Sequence, residues 1–184
     1  MVERALARQD FRAAYGYARD LVWYVISFLA CLRREEAAAL RRSDLTAGAV
    51  PGSINVYIRK SKTDQYHTGF VLPIAGITKS GISIVQRIAR MDAVLAAWGK
   101  HPGDVLFENM NSSEVPLASS QSILDRLMEV YVPEMCARGL EVPNTFRYSG
   151  HSFRRGGITA IRDAARAAGI GGGEMWGVLL KFGR

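Results

Sequence analysis

The sequence is poor in several features that define whole classes of protein. Only two of its 184 residues are cysteines, Cys31 and Cys136, which excludes a disulfide-stapled scaffold. Each lies in an apolar stretch, so we expect two buried free thiols. No cysteine or histidine pair has metal-ligand spacing, so neither a metal site nor a cofactor is predicted.

Long hydrophobic runs and targeting signals are also missing. The longest apolar stretch, Leu21 to Leu32, is too short to span a bilayer, and residues 1–12 are charged throughout, without the apolar core of a signal peptide. We therefore expect a soluble intracellular protein with no membrane partner. It would be nuclear if the source is eukaryotic and cytoplasmic otherwise.

Lysine is scarce, whereas arginine is abundant. The chain has 5 lysines and 19 arginines, and its net charge is +7. Guanidinium groups bind phosphates through two parallel hydrogen bonds, so this balance is compatible with a nucleic-acid partner. An ordinary solvated basic surface explains it equally well.

Length and hydrophobic periodicity predict one mainly helical α+β domain. Alternation of apolar and polar residues over 53–74 predicts a β-hairpin, which would form a small antiparallel sheet. Helical spacing or composition occupies most of the rest, with predicted helices over 12–42 (broken near Arg33), 80–98, 122–131, 152–168 and 175–182.

Three separated basic elements carry the functional signal. They are CLRREEAAALRRSDL (residues 31–45), IRKSKTDQYHTG (58–69) and GHSFRRGGITAI (150–161). Each has an ordinary explanation by itself: a solvated helix end, protection of an edge strand and a helix cap. Their order and spacing are more informative than any one of them.

Taken together, these elements resemble the catalytic domain of tyrosine recombinases, the phage-integrase family. The first is similar to the family motif G-L-R-x-S-E-x-x-x-L-x-x-x-D, with Arg33 at the catalytic arginine and Glu36 at the supporting acid. The second contains the candidate hairpin lysine, Lys62, with Lys60 as the alternative. The combination of HSFRRGG and SKTDQ looks most like recombinases of mobile elements.

The third element matches the family's H-x-x-R box at His151 and Arg154. The resemblance implies that Arg33 and Arg154 bind the scissile phosphate and stabilise its transition-state charge. His151 would hydrogen-bond that phosphate or assist proton transfer, and Lys62 would protonate the leaving 5′-oxygen. The reaction needs no metal.

Three further cations are candidates for binding DNA phosphates. Arg59 and Lys60 precede the hairpin lysine, and Arg155 follows the H-x-x-R arginine. A solvated charged face is an equally good interpretation of Arg59 and Arg155.

The sequence departs from the family at the nucleophile. A tyrosine should follow the H-x-x-R box and a later G-R-W or G-H motif, but none of the seven tyrosines does, and the sequence ends at Phe182-Gly183-Arg184. Tyr148 is nearest and precedes the predicted helix, so no residue is assigned as nucleophile. Cys31 and Glu35 also replace the family's usual glycine and small residue.

We therefore expect residues 1–184 to form a single recombinase-like catalytic domain, without the family's N-terminal DNA-clamping domain and C-terminal tyrosine segment. One interpretation is an incomplete site-specific recombinase or integrase that binds double-stranded DNA, assembles on it as a homo-oligomer, and cannot cleave alone. In a variant of it, another protomer supplies the tyrosine. The alternatives are a non-catalytic DNA-binding module derived from a mobile-element integrase and an unrelated basic interaction domain, so enzyme status stays open.

Overall fold

A long central helix and a small sheet organise the fold. The computed structural model describes residues 1–62, 68–78, 80–109, 120–141, 151–174 and 177. The helices in these ranges are α1 (Val2–Ala7), α2 (Phe11–Leu29), α3 (Arg34–Ala38), α4 (Ile84–Ala97), α5 (Ser120–Arg126), α6 (Val132–Ala137) and α7 (Ser152–Ala167). The strands are β1 (Leu45–Ala47), β2 (Ser53–Ile58) and β3 (Phe70–Ala75). Across these ranges, every helix is too short or too polar to cross a membrane.

Helix α2 is the core element. It begins where the Asp10 side chain accepts a hydrogen bond from the Ala13 amide at 2.9 Å, which satisfies a backbone donor of the first turn. Its apolar faces pack against α1, α4 and α7. Trp23 is buried and meets the ring of Phe107 edge-on, with 4.9 Å between centroids. Helix α3 also contacts α2, and Gly157 of α7 lies against the last turn of α2 at Phe28.

The sheet is antiparallel, with strand order β1-β2-β3. Ile54, Val56 and Ile58 are buried in alternation along β2, as the sequence pattern predicted. Thr46 of β1 pairs with Asn55 on the other edge of β2, so the sheet has one more strand than the predicted hairpin. The predicted class, a mainly helical α+β fold with a small antiparallel sheet, is confirmed.

Three predictions need correction or fall outside the described residues. The helix predicted over 122–131 begins at Ser120, and a π-turn over Leu127–Tyr131 joins it to α6. Cys31 is buried as expected, but the prediction for Cys136 is wrong because this thiol is exposed on the short helix α6. The hairpin connection 63–67, the loops 110–119 and 142–150, and the predicted helix 175–182, apart from Gly177, lie outside the described residues.

Three tyrosines lie among buried polar groups beside α2. The Tyr15 hydroxyl donates to the Glu108 carbonyl, and the Tyr24 hydroxyl donates to the Ile123 carbonyl. The Tyr131 hydroxyl donates to the carboxylate of Asp20, which is fully buried. Burial raises the pKa of Tyr15 to about 12. Burial, with the nearby Asp20 charge, raises the pKa of Tyr24 and Tyr131 as well.

Because the pKa values of these tyrosines are raised, we expect the folded protein to become less stable at alkaline pH. Because a phenol in the unfolded chain has a pKa of about 10, the unfolded state releases these protons at lower pH than the folded state. Their contribution to stability is complete below about pH 10 and is lost as pH rises towards the folded-state values. Urea unfolding from pH 8 to 11, with absorbance titration near 295 nm, should show falling stability and late-titrating phenols. Titration of all tyrosines near pH 10 by the folded protein would contradict this.

Candidate active site

The turn between α2 and α3 places Arg33 and Glu36. The chain leaves α2 through Cys31, whose φ of 50° lies in the left-handed region, which side chains other than glycine seldom adopt. Arg33 is extended and precedes the first turn of α3. The Glu36 carboxylate accepts from the Arg33 amide at 2.8 Å and from its Nη1 at 2.7 Å. The same carboxylate therefore fixes both the helix start and the guanidinium.

The hairpin reaches this pair through Ser61, just after β2. Its buried hydroxyl donates to Glu36 Oε1 and accepts from Arg33 Nη1, with both separations 2.7 Å. Lys60 and Lys62 flank Ser61 and are both exposed. The candidate hairpin lysines are therefore adjacent in sequence to a residue that contacts the arginine–glutamate pair.

Helix α7 brings in Arg154. Arg154 Nη1 donates to the Cys31 carbonyl at 2.8 Å and lies 3.8 Å from Glu36 Oε2. Burial lowers the pKa of Arg154, and the positive charge of Arg33 lowers it further. Two guanidinium groups from distant parts of the sequence thus share one buried carboxylate.

A close approach between α7 and the end of α2 makes this contact possible. Gly157 is buried, and a Cβ there would overlap the Phe28 carbonyl oxygen and lie 2.7 Å from Cys31 Sγ. Burial raises the pKa of the Cys31 thiol to about 11, so it stays protonated at neutral pH. The buried Cys31 thiol packs against its neighbours and does not serve as a nucleophile.

His151 and Arg155 lie at the start of α7, and both are exposed. His151 precedes the first turn, but its side chain makes no capping hydrogen bond, so the capping interpretation finds no support. The pKa of Glu35 is lowered chiefly because its carboxylate accepts a hydrogen bond from its own backbone amide, with additional contributions from Arg34 and from the charge of His151. His151 is therefore within electrostatic reach of α3, the helix that carries Glu36.

Arg59 lies in a different setting. Its Nη2 is 2.7 Å from the buried carboxylate of Asp44, and the same nitrogen donates to the Ser43 hydroxyl. Asp44 also accepts from the Arg41 amide at 2.9 Å. Arg59 therefore belongs to a separate ion pair, whose carboxylate is Asp44 rather than Glu36.

The assembled group suits an anion. Two arginines, Arg33 and Arg154, share the single carboxylate of Glu36, which leaves this group with a net positive charge. Two guanidiniums held in place can donate to the non-bridging oxygens of a phosphodiester. Within the described ranges, no three His, Cys, Asp or Glu residues are grouped so that they could hold a metal ion.

Two residues of this site were not singled out from the sequence, namely Ser61 and Gly157. The sequence feature that could have indicated Ser61 is its position between two lysines at the end of a predicted strand. Gly157 is the second glycine of a pair inside a predicted helix, where glycine lowers helix propensity and often marks close packing.

Five tyrosines lie in the described ranges. The hydroxyls of Tyr15, Tyr24 and Tyr131 have the partners given above, and Tyr57 donates to the Thr68 carbonyl at 3.3 Å. The ring of Tyr17 packs edge-on against Tyr131. Tyr66 and Tyr148 lie outside the described residues.

Comparisons with known proteins identify the fold. No family model matches the sequence, and no curated protein matches it. A structure of the XerH site-specific recombinase bound to difH substrate, a pre-cleavage complex, has a TM-score of 0.50 and 18% identity and covers 83% of this chain. A post-cleavage XerH complex with palindromic difH has a TM-score of 0.48 at 18% identity, over 83% of this chain and 37% of that one. The chain spans 38% of the XerH chain in the first structure, and over that length it shares the XerH fold.

Proposed function

We propose that this chain is the DNA-binding and phosphate-holding part of a site-specific recombinase of the tyrosine type. The observation that carries the proposal is the meeting of Arg33 and Arg154 at the buried carboxylate of Glu36. These two arginines are the ones that the motif resemblance assigns to the scissile phosphate. The fold shared with XerH supports the same conclusion and weighs against an unrelated basic domain.

The proposed chemistry is strand breakage and rejoining. A tyrosine oxygen attacks phosphorus, a new O–P bond forms, and the P–O5′ bond breaks. Arg33 and Arg154 stabilise the charge that develops on the non-bridging oxygens. Lys62 gives its proton to the departing 5′-oxygen, and His151 hydrogen-bonds the phosphate or accepts the tyrosine proton. Rejoining reverses these steps.

In that scheme, the candidate phosphate-binding groups and the candidate acid lie among residues 1–184, and none of these residues is assigned as the nucleophile. No tyrosine follows Tyr148 in the sequence. We propose that residues 1–184 act as one catalytic-type domain that binds duplex DNA, assembles on it with further copies, and does not cleave alone. A non-catalytic DNA-binding module would have the same binding properties and would differ only in never acting with a tyrosine supplied from elsewhere.

DNA binding is the first test. Fluorescence anisotropy on a labelled duplex should show affinity falling steeply between 50 and 200 mM salt. About five phosphate contacts give a slope of roughly −4 to −5 in log affinity against log salt. Arg33→Ala should weaken binding about tenfold and bring the slope about one unit closer to zero, because it removes one charged phosphate contact.

The matched control is Arg138→Ala. Arg138 is an exposed arginine on α6 that pairs with Glu134, so its loss changes the net charge equally but at another place. It should leave the slope within error. Binding that does not depend on salt, or equal effects of Arg33→Ala and Arg138→Ala, would contradict the proposal.

Cleavage is tested separately on a nicked suicide duplex. The chain alone should form no covalent 3′-phosphotyrosyl adduct, judged by denaturing gel and mass spectrometry. An adduct would mean that one of the seven tyrosines in this chain is the nucleophile, and its mass-mapped position would identify which.

A further inference from the structure

Ser61 joins the end of the hairpin strand β2 to the arginine–glutamate pair, through hydrogen bonds to Arg33 and Glu36. We infer that Ser61 is a positioning residue that fixes Lys62 relative to the guanidinium of Arg33. The inference rests on the proposed function, because it concerns the lysine that the proposal makes the general acid. It adds a role that neither the motif resemblance nor the fold assigns.

The geometry around Ser61 is a closed set of three short contacts. Ser61 Oγ lies 2.7 Å from both Glu36 Oε1 and Arg33 Nη1, and these two atoms are themselves 2.7 Å apart. Ser61 and Glu36 are buried, so loss of the hydroxyl would remove one hydrogen bond from each of two charged groups in a place that water reaches poorly. The hydroxyl is therefore part of the site rather than a surface group.

The sheet by itself does not determine where Lys62 lies. The pairing between β2 and β3 ends at Ile58 opposite Phe70, four residues before Lys62. Between that pair and Lys62, Ser61 is the buried residue, whereas Arg59 and Lys60 are exposed. Because adjacent Cα atoms are about 3.8 Å apart, anchoring Ser61 confines the backbone from which the lysine side chain extends.

We therefore expect a phosphate bound by Arg33 to lie within reach of Lys62, because the neighbouring Ser61 hydrogen-bonds to the Arg33 guanidinium. Without that hydrogen bond, the exposed Lys62 side chain would sample a wider volume and spend less time at the phosphate. We therefore expect energetic coupling between Ser61 and Lys62 in DNA binding, which a purely structural serine would not produce.

The test is a double-mutant cycle on duplex affinity with Ser61→Ala, Lys62→Ala and the double variant. We expect Lys62→Ala to weaken binding in the wild-type background, and its effect to shrink by roughly threefold or more when Ser61 is alanine. Ser61→Thr, which keeps the hydroxyl, should restore the full effect of Lys62→Ala. The control is Arg138→Ala, which removes an exposed cation at the end of α6 that is not adjacent to Ser61, and its effect should be the same in both backgrounds.

A second measurement needs no DNA. Amide hydrogen exchange of Ser61→Ala should be about tenfold faster over residues 59–62 than in wild type, with the amides of α2 unchanged. Unchanged protection of 59–62 would overturn the anchoring role whatever DNA binding shows. Additive effects of Ser61→Ala and Lys62→Ala, or equally strong coupling of Ser61→Ala to Arg138→Ala, would overturn the inference while leaving the proposed function standing. Failure of the wild-type chain to bind DNA would instead remove the proposed function.

Discussion

Glu36→Gln is expected to lower the free energy of unfolding by about 3 kcal/mol, because it removes the charge of a buried carboxylate from two cations. Gln keeps the size of the side chain, so the effect is electrostatic rather than steric. In the wild type, Glu36 lies 2.7 Å from Arg33 and 3.8 Å from Arg154. Without it, two partly buried guanidiniums repel each other. Urea unfolding at neutral pH and low salt measures the difference.

The control for this variant is Glu35→Gln. Glu35 is the neighbouring acid on α3, and its side chain is 73% exposed, so we expect a change below about 0.5 kcal/mol. Added sulfate or phosphate should raise the melting temperature of Glu36→Gln more than that of wild type, because an anion replaces the missing charge. Equal stability of Glu36→Gln and wild type would show that the carboxylate does not hold the two arginines together.

Gly157→Ala is expected to destabilise the fold by about 3 kcal/mol and to weaken DNA binding. The added methyl group would overlap the backbone carbonyl of Phe28, and a backbone atom cannot swing aside as a side chain can. Helix α7 must then move away from the end of α2, which costs packing energy. The movement also separates Arg154 from the Cys31 carbonyl. Thermal unfolding and duplex affinity report the two effects.

Gly156→Ala is the matched control, one position earlier on α7. A Cβ at Gly156 would lie 3.1 Å from the ring of Phe28, which is partly exposed and can shift. Alanine also favours helix over glycine by about 1 kcal/mol. We expect this variant to be neutral or slightly stabilised and to bind DNA normally. Similar losses in Gly156→Ala and Gly157→Ala would mean that helix propensity, not the close approach, governs this segment.

The larger elements could be predicted because their patterns extend over many residues. Helices α2 and α7 and strands β2 and β3 each bury one face repeatedly, and such periodicity is visible in a single sequence. Strand β1 could not be found in this way. It has three residues and follows a turn, and it is a strand only because Thr46 and its neighbours pair with β2. Its formation depends on a partner that lies later in the chain.

The charged residues of the candidate site could be named from the sequence, but the contacts between them could not. Continuing the alternation of β2 past Ile58 would place Lys60 on the buried side and Ser61 outside. The strand ends at Ile58, both Arg59 and Lys60 are exposed, and the alternation restarts one residue later. A motif resemblance can point to Arg33 and Lys62, but the serine that touches the arginine is visible only once the backbone path is known.

Burial of Cys136 was predicted wrongly for a related reason. Its apolar neighbours suggested a core position, but α6 has six residues and packs chiefly against the adjoining π-turn. Hydrophobic composition over so short a segment does not determine which elements cover it. The thiol at Cys136 is therefore on the surface.

The hydrogen bonds that hold Arg33 have a thermodynamic consequence for the proposed binding of DNA. An arginine side chain carries about 2 kcal/mol of rotamer entropy, which a surface arginine loses when it closes on a phosphate. Arg33 is already held by Glu36 and Ser61, so most of that freedom is lost during folding. Affinity at this site should therefore carry a smaller entropic penalty than affinity at an unrestrained cation such as Arg155. The loss of side-chain entropy at Arg33 therefore lowers the stability of the folded domain instead of lowering its affinity.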